Sequence, residues 1–220
     1  MHCNIFNVCR KTIEKPLATL RRLKAIVLTL TLRTHKKRWE KVAYAGQPEW
    51  DLRNKKLVSF IPSGSSVIDI GCGAQTLKQH LPVGCSYQPC DLVKSSPDVI
   101  LCDFNANHYP KVDRQFTHVV CSGVLEYIRD PDRFLNEISS LGGTVILSYN
   151  LRLPGDSKLQ RMTNNWVNHF SQLDLDVIFR KAGLQSECLD RTQTGEVIFR
   201  LRQDNATAQH QASSTASRVK

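Results

Sequence analysis

The sequence predicts an α/β fold: a seven-stranded, mostly parallel sheet with one antiparallel edge strand and helices on both faces. Three observations carry this expectation. Short apolar runs alternate with helix-like segments from residue 66 to residue 182, the pattern of strands joined by crossover helices. The first run ends in Gly71-Cys72-Gly73, a turn that lets backbone approach a ligand closely. The last two runs, 185–189 and 196–201, flank the bend Thr192–Gly195 and read as a hairpin, which supplies the antiparallel strand.

The elements follow in order. Ser66–Ile70 reads as a buried strand, and Ala74–Leu81 as a helix after the glycine turn. Ser86–Asp91, Asp98–Cys102 and Phe116–Cys121 are the next three strands. Pro131–Leu141 is a helix, with Asp130 as N-cap, proline at the first helical position, and Gly142-Gly143 to end it. Thr144–Tyr149 is the fifth strand. Ser171 caps a helix that runs to Ala182, where Gly183 stops it. Residues 203–220 are polar and rich in Ala, Ser, Thr and Gln, and are expected to form a disordered tail.

Composition narrows the function. An apolar share of 41% and a charged share of 23% exclude a wholly disordered or collagen-like chain. The net charge of +10 invites a nucleic-acid or anionic-membrane partner, but it is not spread evenly. Residues 1–60 carry 14 Lys and Arg against 4 Asp and Glu, and residues 61–220 carry 16 of each. The chain therefore divides into a basic helical extension, 1–60, a neutral domain, 61–202, and the tail.

Within the extension, Leu17, Leu20, Leu23, Val27 and Leu30 recur at helical spacing, while Arg21, Arg22 and Lys24 fall off that stripe. Either the helix lies on an anionic membrane surface or its Leu stripe packs on the domain. The run is too short to span a bilayer and lacks a signal-peptide cleavage site; a mitochondrial presequence is disfavoured by its scarcity of serine. Nucleic acid is not the expected partner, since no binding motif accompanies the charge. The eight cysteines have neither CxxC nor zinc-ligand spacing, and read as free thiols in a reducing compartment. The expected location is cytoplasmic, with contact at a membrane surface if the helix makes it.

Parallel sheets bind ligands beyond the carboxyl ends of their strands, so the residues just after each strand are the candidates. After the first come Asp69, Gly71, Cys72 and Gly73. A dinucleotide site would want a small third residue where Thr76 stands, and a pyrophosphate would be repelled by Asp69. An ammonium and a sulfonium would welcome that carboxylate, and S-adenosylmethionine (SAM) carries both. Asp91 ends the second strand and can accept from ribose hydroxyls, a feature shared with NAD sites; alternatively it is a loop aspartate. Asp103 and Phe104 can meet an adenine, or be a loop acid beside a packed ring. Ser122 to Tyr127 follows the fourth strand, where Glu126 or Tyr127 can bind or deprotonate an acceptor, or merely pack or cap.

VIDIGCG, the acid at the next strand end, CDF after the third strand and VVCSGVLEYIRDP after the fourth together resemble class I SAM-dependent methyltransferases. The closest resemblance is to the small type 11 and type 12 domains. LGGTVILSYN is similar to that family's fifth strand and HFSQLDLDVIFRKAGL to its late helix, so the likeness covers residues 60–200. It implies a Rossmann-like fold and SAM as cofactor. The glycine loop with Asp69, Gly71 and Gly73 would meet the methionine moiety, Asp91 the ribose, and Asp103 with Phe104 the adenine. The family often has His where this chain has Tyr127.

Methyl transfer from a sulfonium is an in-line displacement that needs alignment and exclusion of water, and a base only for a weakly acidic acceptor. His169, just before the late helix, is the base expected from the sequence, with a purely structural role as the alternative. The acceptor is expected to be a small molecule, lipid or glycan, held by residues 34–60 and 150–170. The rival functions are a methyltransferase-like module that binds SAM or S-adenosylhomocysteine (SAH) without turnover, and an NAD oxidoreductase.

Overall fold

The computed structural model describes residues 19–204. Pro16, Leu17, Cys3, Cys9 and the expected tail from residue 205 lie outside the described residues.

A helix, α1, covers 19–31; α2 (Lys36–Val42) and α3 (Pro48–Val58) complete the lead-in. The sheet strands are β1 (Ser66–Ile70), β2 (Ser86–Asp91), β3 (Ile100–Leu101), β4 (Phe116–Ser122), β5 (Gly142–Asn150), β6 (Leu184–Arg191) and β7 (Glu196–Gln203). Between them lie α4 (Thr76–His80), α5 (Pro131–Ser139), α6 (Lys158–Met162) and α7 (Gln172–Lys181). The order across the sheet is β3-β2-β1-β4-β5-β7-β6. The first five strands run parallel, and β7 pairs antiparallel with both β5 and β6. The terminal hairpin thus forms one margin of the sheet, with its antiparallel strand tucked inside and β6 outermost.

Side-chain alternation builds two cores. Ile68, Ile70, Val119, Cys121, Val145, Leu147, Phe199 and Leu201 face α5 and α7, which contribute Phe134, Leu135, Ile138, Leu175 and Phe179. The intervening Val67, Val120, Ile146 and Ile198 face α3 and α4, which contribute Leu57, Val58 and Leu77. Since α3 covers one face of the sheet, the end of the lead-in is part of the folded domain.

The expected caps are present. Asp130 accepts from Arg133 N–H ahead of Pro131, and Ser171 forms a reciprocal capping box with Asp174. The third strand is shorter than expected: only Ile100 and Leu101 pair with β2, and Asp103 N-caps a 3₁₀ turn, Phe104–Ala106.

Of the two expectations for the first helix, packing of the Leu stripe on the domain does not hold. Leu20, Leu23, Val27 and Leu30 are exposed, and the helix docks through the buried Thr29 with Ala25, Ile26 and Leu28 half-buried. No helix among the described residues is long and apolar enough to cross a membrane.

Candidate active site

The strand order reverses between β1 and β4, and a crevice opens beyond their carboxyl ends. There the structure contains a cavity of about 330 Å³, within the range of small-molecule sites. Of the residues expected from the sequence, Asp69, Gly71, Cys72, Gly73, Asp91, Asp103, Phe104, Ser122, Glu126 and Tyr127 all line it. His169 is not among the lining residues.

The glycine turn needs its glycines. Gly71 has φ +78°, and a Cβ there would lie 2.4 Å from Val124 Cγ2. Gly73, at φ +50°, has nothing within 4 Å of the corresponding position, so its backbone borders open cavity. Asp91 fixes this turn from the neighbouring strand: Oδ2 accepts Gly73 N–H at 2.8 Å and Oδ1 accepts Val93 N–H at 2.9 Å. Burial raises the Asp91 pKa, and those backbone donors oppose the rise.

Asp69 lies below the turn, buried, with Tyr87 Oη donating to its Oδ2 at 2.7 Å. Burial pushes its carboxyl up to about 7; the Tyr87 hydrogen bond pulls against that, and the Asp91 charge adds to it. Burial, with Asp69 and Asp91 nearby, holds the Cys72 thiol protonated. Asp103 Oδ1 accepts from Ala106 N–H and, at 3.0 Å, from Thr34 Oγ1 of the lead-in. Phe104 packs edge-on to Phe134 at 5.3 Å.

Sequence reasoning missed a second set of lining residues, from α2, α3, β5 and the segment after α6. All three tryptophans of the chain, Trp39, Trp50 and Trp166, line the cavity beside Tyr127. Trp39 meets Tyr127 edge-on at 4.8 Å and Trp50 at 6.4 Å, and Trp166 Nε1 donates to Tyr127 Oη at 3.1 Å. The one available signal was their placement: each falls in 34–60 or 150–170, the segments expected to hold an acceptor.

Polar groups face these rings. Arg53 Nε donates to Ser122 Oγ at 2.9 Å and lies 3.6 Å from Glu196 Oε1. Ser122 Oγ donates to Asn54 Oδ1 at 2.6 Å. The Arg53 guanidinium fills the space over Gly123, where a Cβ would sit 2.7 Å from it. Glu126 is buried, its Oε1 accepting from Asn150 N–H at 2.9 Å and Asn150 Nδ2 at 3.2 Å. Its Oε2 is buried without a hydrogen-bond partner. Burial raises the Tyr127 pKa, so it stays a phenol. Both His169 ring nitrogens are buried without partners, and burial, with Arg161, Lys158 and Arg152 around it, lowers its pKa.

Comparison with known proteins agrees with this geometry. A family model described as a methyltransferase domain matches residues 42–189. No curated protein matches the sequence. Among solved structures, the chain is similar to CalO1, a methyltransferase of calicheamicin biosynthesis solved with SAH. The TM-score is 0.55 at 17% identity, covering 70% of this chain and 54% of CalO1. The chain thus spans about half of that protein's length. It is similar to the Burkholderia thailandensis 1,6-didemethyltoxoflavin-N1-methyltransferase, solved with 1,6-didemethyltoxoflavin and SAH, with TM-score 0.52 and 15% identity over 87% of this chain and 90% of that one. It is also similar to the [4+2]-cyclase SpnF, with TM-score 0.55 and 14% identity over 70% of this chain and 80% of that one. At these identities the structures share the fold. With the family model covering most of the domain and the glycine turn and strand-end acids in one cavity, the chain belongs to the methyltransferase domain family, on the class I Rossmann-like fold.

Proposed function

We propose that the chain is a SAM-dependent methyltransferase whose acceptor is a small molecule presenting a flat ring face. The observation that carries this reading is the division of one cavity into two chemistries. Asp69, Asp91 and Asp103 stand at the ends of adjacent strands around the glycine turn, and three tryptophans with Tyr127 stand beside them.

The residues present fit SAM. Gly73 borders open space where a side chain would intrude, and the buried Asp69 carboxylate suits a cationic ligand. Asp91 takes backbone N–H groups of Gly73, Val93 and Leu92 and keeps acceptor capacity for a ribose hydroxyl. Asp103 and Phe104 offer an acceptor and a ring for adenine. When bound, SAM supplies an electrophilic methyl already activated by its sulfonium charge.

The protein's work is then alignment and water exclusion. Trp39, Trp50 and Trp166 bind the acceptor ring by its face. Arg53, held by Ser122 and Glu196, addresses a polar substituent. Glu126 is oriented by Asn150 and has a free buried oxygen, so it accepts the proton or hydrogen bond of the acceptor's reacting O–H or N–H. Tyr127, held by Trp166, donates a hydrogen bond. This gives the base role to Glu126 in place of His169, which the cavity does not include.

A non-catalytic module would have no use for an oriented carboxylate with a free oxygen, and an NAD site would be opposed by Asp69. The cyclase among the structural neighbours makes turnover the deciding test, because this fold serves more than one reaction. The protein should be incubated with methyl-deuterated SAM and a metabolite extract, and the products read by mass spectrometry. A labelled product requiring Glu126 supports the reading. SAM binding with no labelled product from any extract favours the module.

A further inference from the structure

We infer that α1 is a docking face for an anionic lipid bilayer. Its orientation carries the inference. Thr29 is 1% exposed, and its Oγ1 accepts from Asn165 Nδ2 at 3.0 Å and lies 3.2 Å from Met162 O. Arg129 donates to Thr29 O at 2.7 Å and also to Leu32 O. The helix is therefore clamped to the domain by polar bonds along one side. The opposite side carries Leu20, Leu23, Val27 and Leu30, at 64%, 55%, 55% and 62% exposure. At 100° per residue these four fall within one narrow arc, which points away from Thr29. A soluble amphipathic helix buries its apolar stripe; this one leaves these four apolar residues in the open.

Charge identifies the occupant. From residue 19 to residue 39 there is no Asp or Glu, and there are seven Lys and Arg. Arg33 and Arg38 are committed to the domain, through Asn105 O and through Asn164 O with Asn165 Oδ1. Arg21, Arg22 and Lys24 of α1 and Lys36 and Lys37 of α2 remain exposed, and at 100° per residue Lys24 lies beside the apolar stripe. An exposed apolar stripe within a segment, 19–39, that is basic and free of acidic residues matches the boundary between acyl chains and anionic headgroups. A second copy of the chain would bring the same positive charge against itself. Four side chains also offer far less than the roughly 800 Å² per partner of an ordinary protein interface. Directly after the stripe, Thr34 bonds Asp103 and lines the cavity, so a bilayer seated on α1 lies beside the site.

The test uses the full chain with vesicles of equimolar phosphatidylglycerol and phosphatidylcholine, and with phosphatidylcholine alone, read by co-sedimentation. The chain should bind the anionic vesicles at least about tenfold more than the neutral ones, less so as salt is raised. Leu23→Glu with Val27→Glu should cut that binding by at least about tenfold. Both positions are exposed and outside the cavity, so the variant's melting temperature and SAM affinity should match those of the parent. Absence of binding to anionic vesicles, or equal binding by the variant, overturns the inference. So does concentration-dependent dimerisation in analytical ultracentrifugation that the double substitution abolishes, which would assign the face to a second copy.

Discussion

Gly73 N–H donates to Asp91 Oδ2 at 2.8 Å, joining the turn after β1 to the end of β2. One carboxylate thereby shapes the glycine turn and faces the cavity. Replacing Asp91 by Ala removes the turn's anchor and a ribose acceptor together. Cofactor affinity should fall by about 1–3 kcal/mol, the scale of charged hydrogen bonds. Isothermal titration with SAM measures it, and unchanged affinity would remove Asp91 from the site.

The two glycines of the turn should separate stability from binding. Gly71→Ala places a Cβ against Val124 at positive φ, and should cost on the order of 2 kcal/mol or more in thermal unfolding. Gly73→Ala meets nothing in the free protein, so its stability cost should be the left-handed backbone alone, about 1–2 kcal/mol. Its Cβ enters the cavity, however, so SAM binding should drop as strongly as for Gly71→Ala. Full SAM binding by Gly73→Ala would show that the ligand does not approach this turn.

Asp69 predicts a pH dependence. Its folded pKa of about 7 exceeds the ordinary 3.8, so between those values the folded chain holds a proton that the unfolded chain has lost. Stability of the ligand-free protein should therefore fall as pH rises through that window. SAM, being cationic, favours the ionised carboxylate, so its affinity should rise with pH from about 6 to about 8, with proton release on binding. Titrations in buffers of different ionisation enthalpy read the proton directly. Asp69→Asn should abolish both trends.

Much of this was legible in the sequence because it is local. Alternating apolar runs located the strands, capping residues such as Asp130 and Ser171 located helix starts, and strand-end acids fell where a parallel sheet opens. What was not legible depends on contacts between distant segments. Arg53 and Asn54 reach Ser122 across about seventy residues, and nothing in their own neighbourhood marks them. The Leu stripe of α1 was visible as a periodicity, but periodicity does not say which side docks; Thr29, Asn165 and Arg129 decide it. His169 was the base expected from the sequence. The cavity lining, which takes in Glu126 and leaves out His169, and the Asn150 bonds to Glu126 are what favour the carboxylate.

Glu126→Gln should leave SAM affinity unchanged within error while lowering turnover by roughly 10²–10⁴-fold. Trp50→Ala should instead raise KM for the acceptor at unchanged SAM affinity. His169→Gln should leave turnover and its pH profile unaltered. Loss of the acidic limb of that profile in His169→Gln, with Glu126→Gln fully active, would restore the histidine as base.

The central claim is that the strand-end acids and glycine turn form a SAM site, and calorimetry with the intact protein tests it most directly. Both SAM and SAH should bind at one site, each displacing the other, with affinity lost in Asp91→Ala. Binding of neither ligand, or tight binding of NADH in their place, would contradict the account.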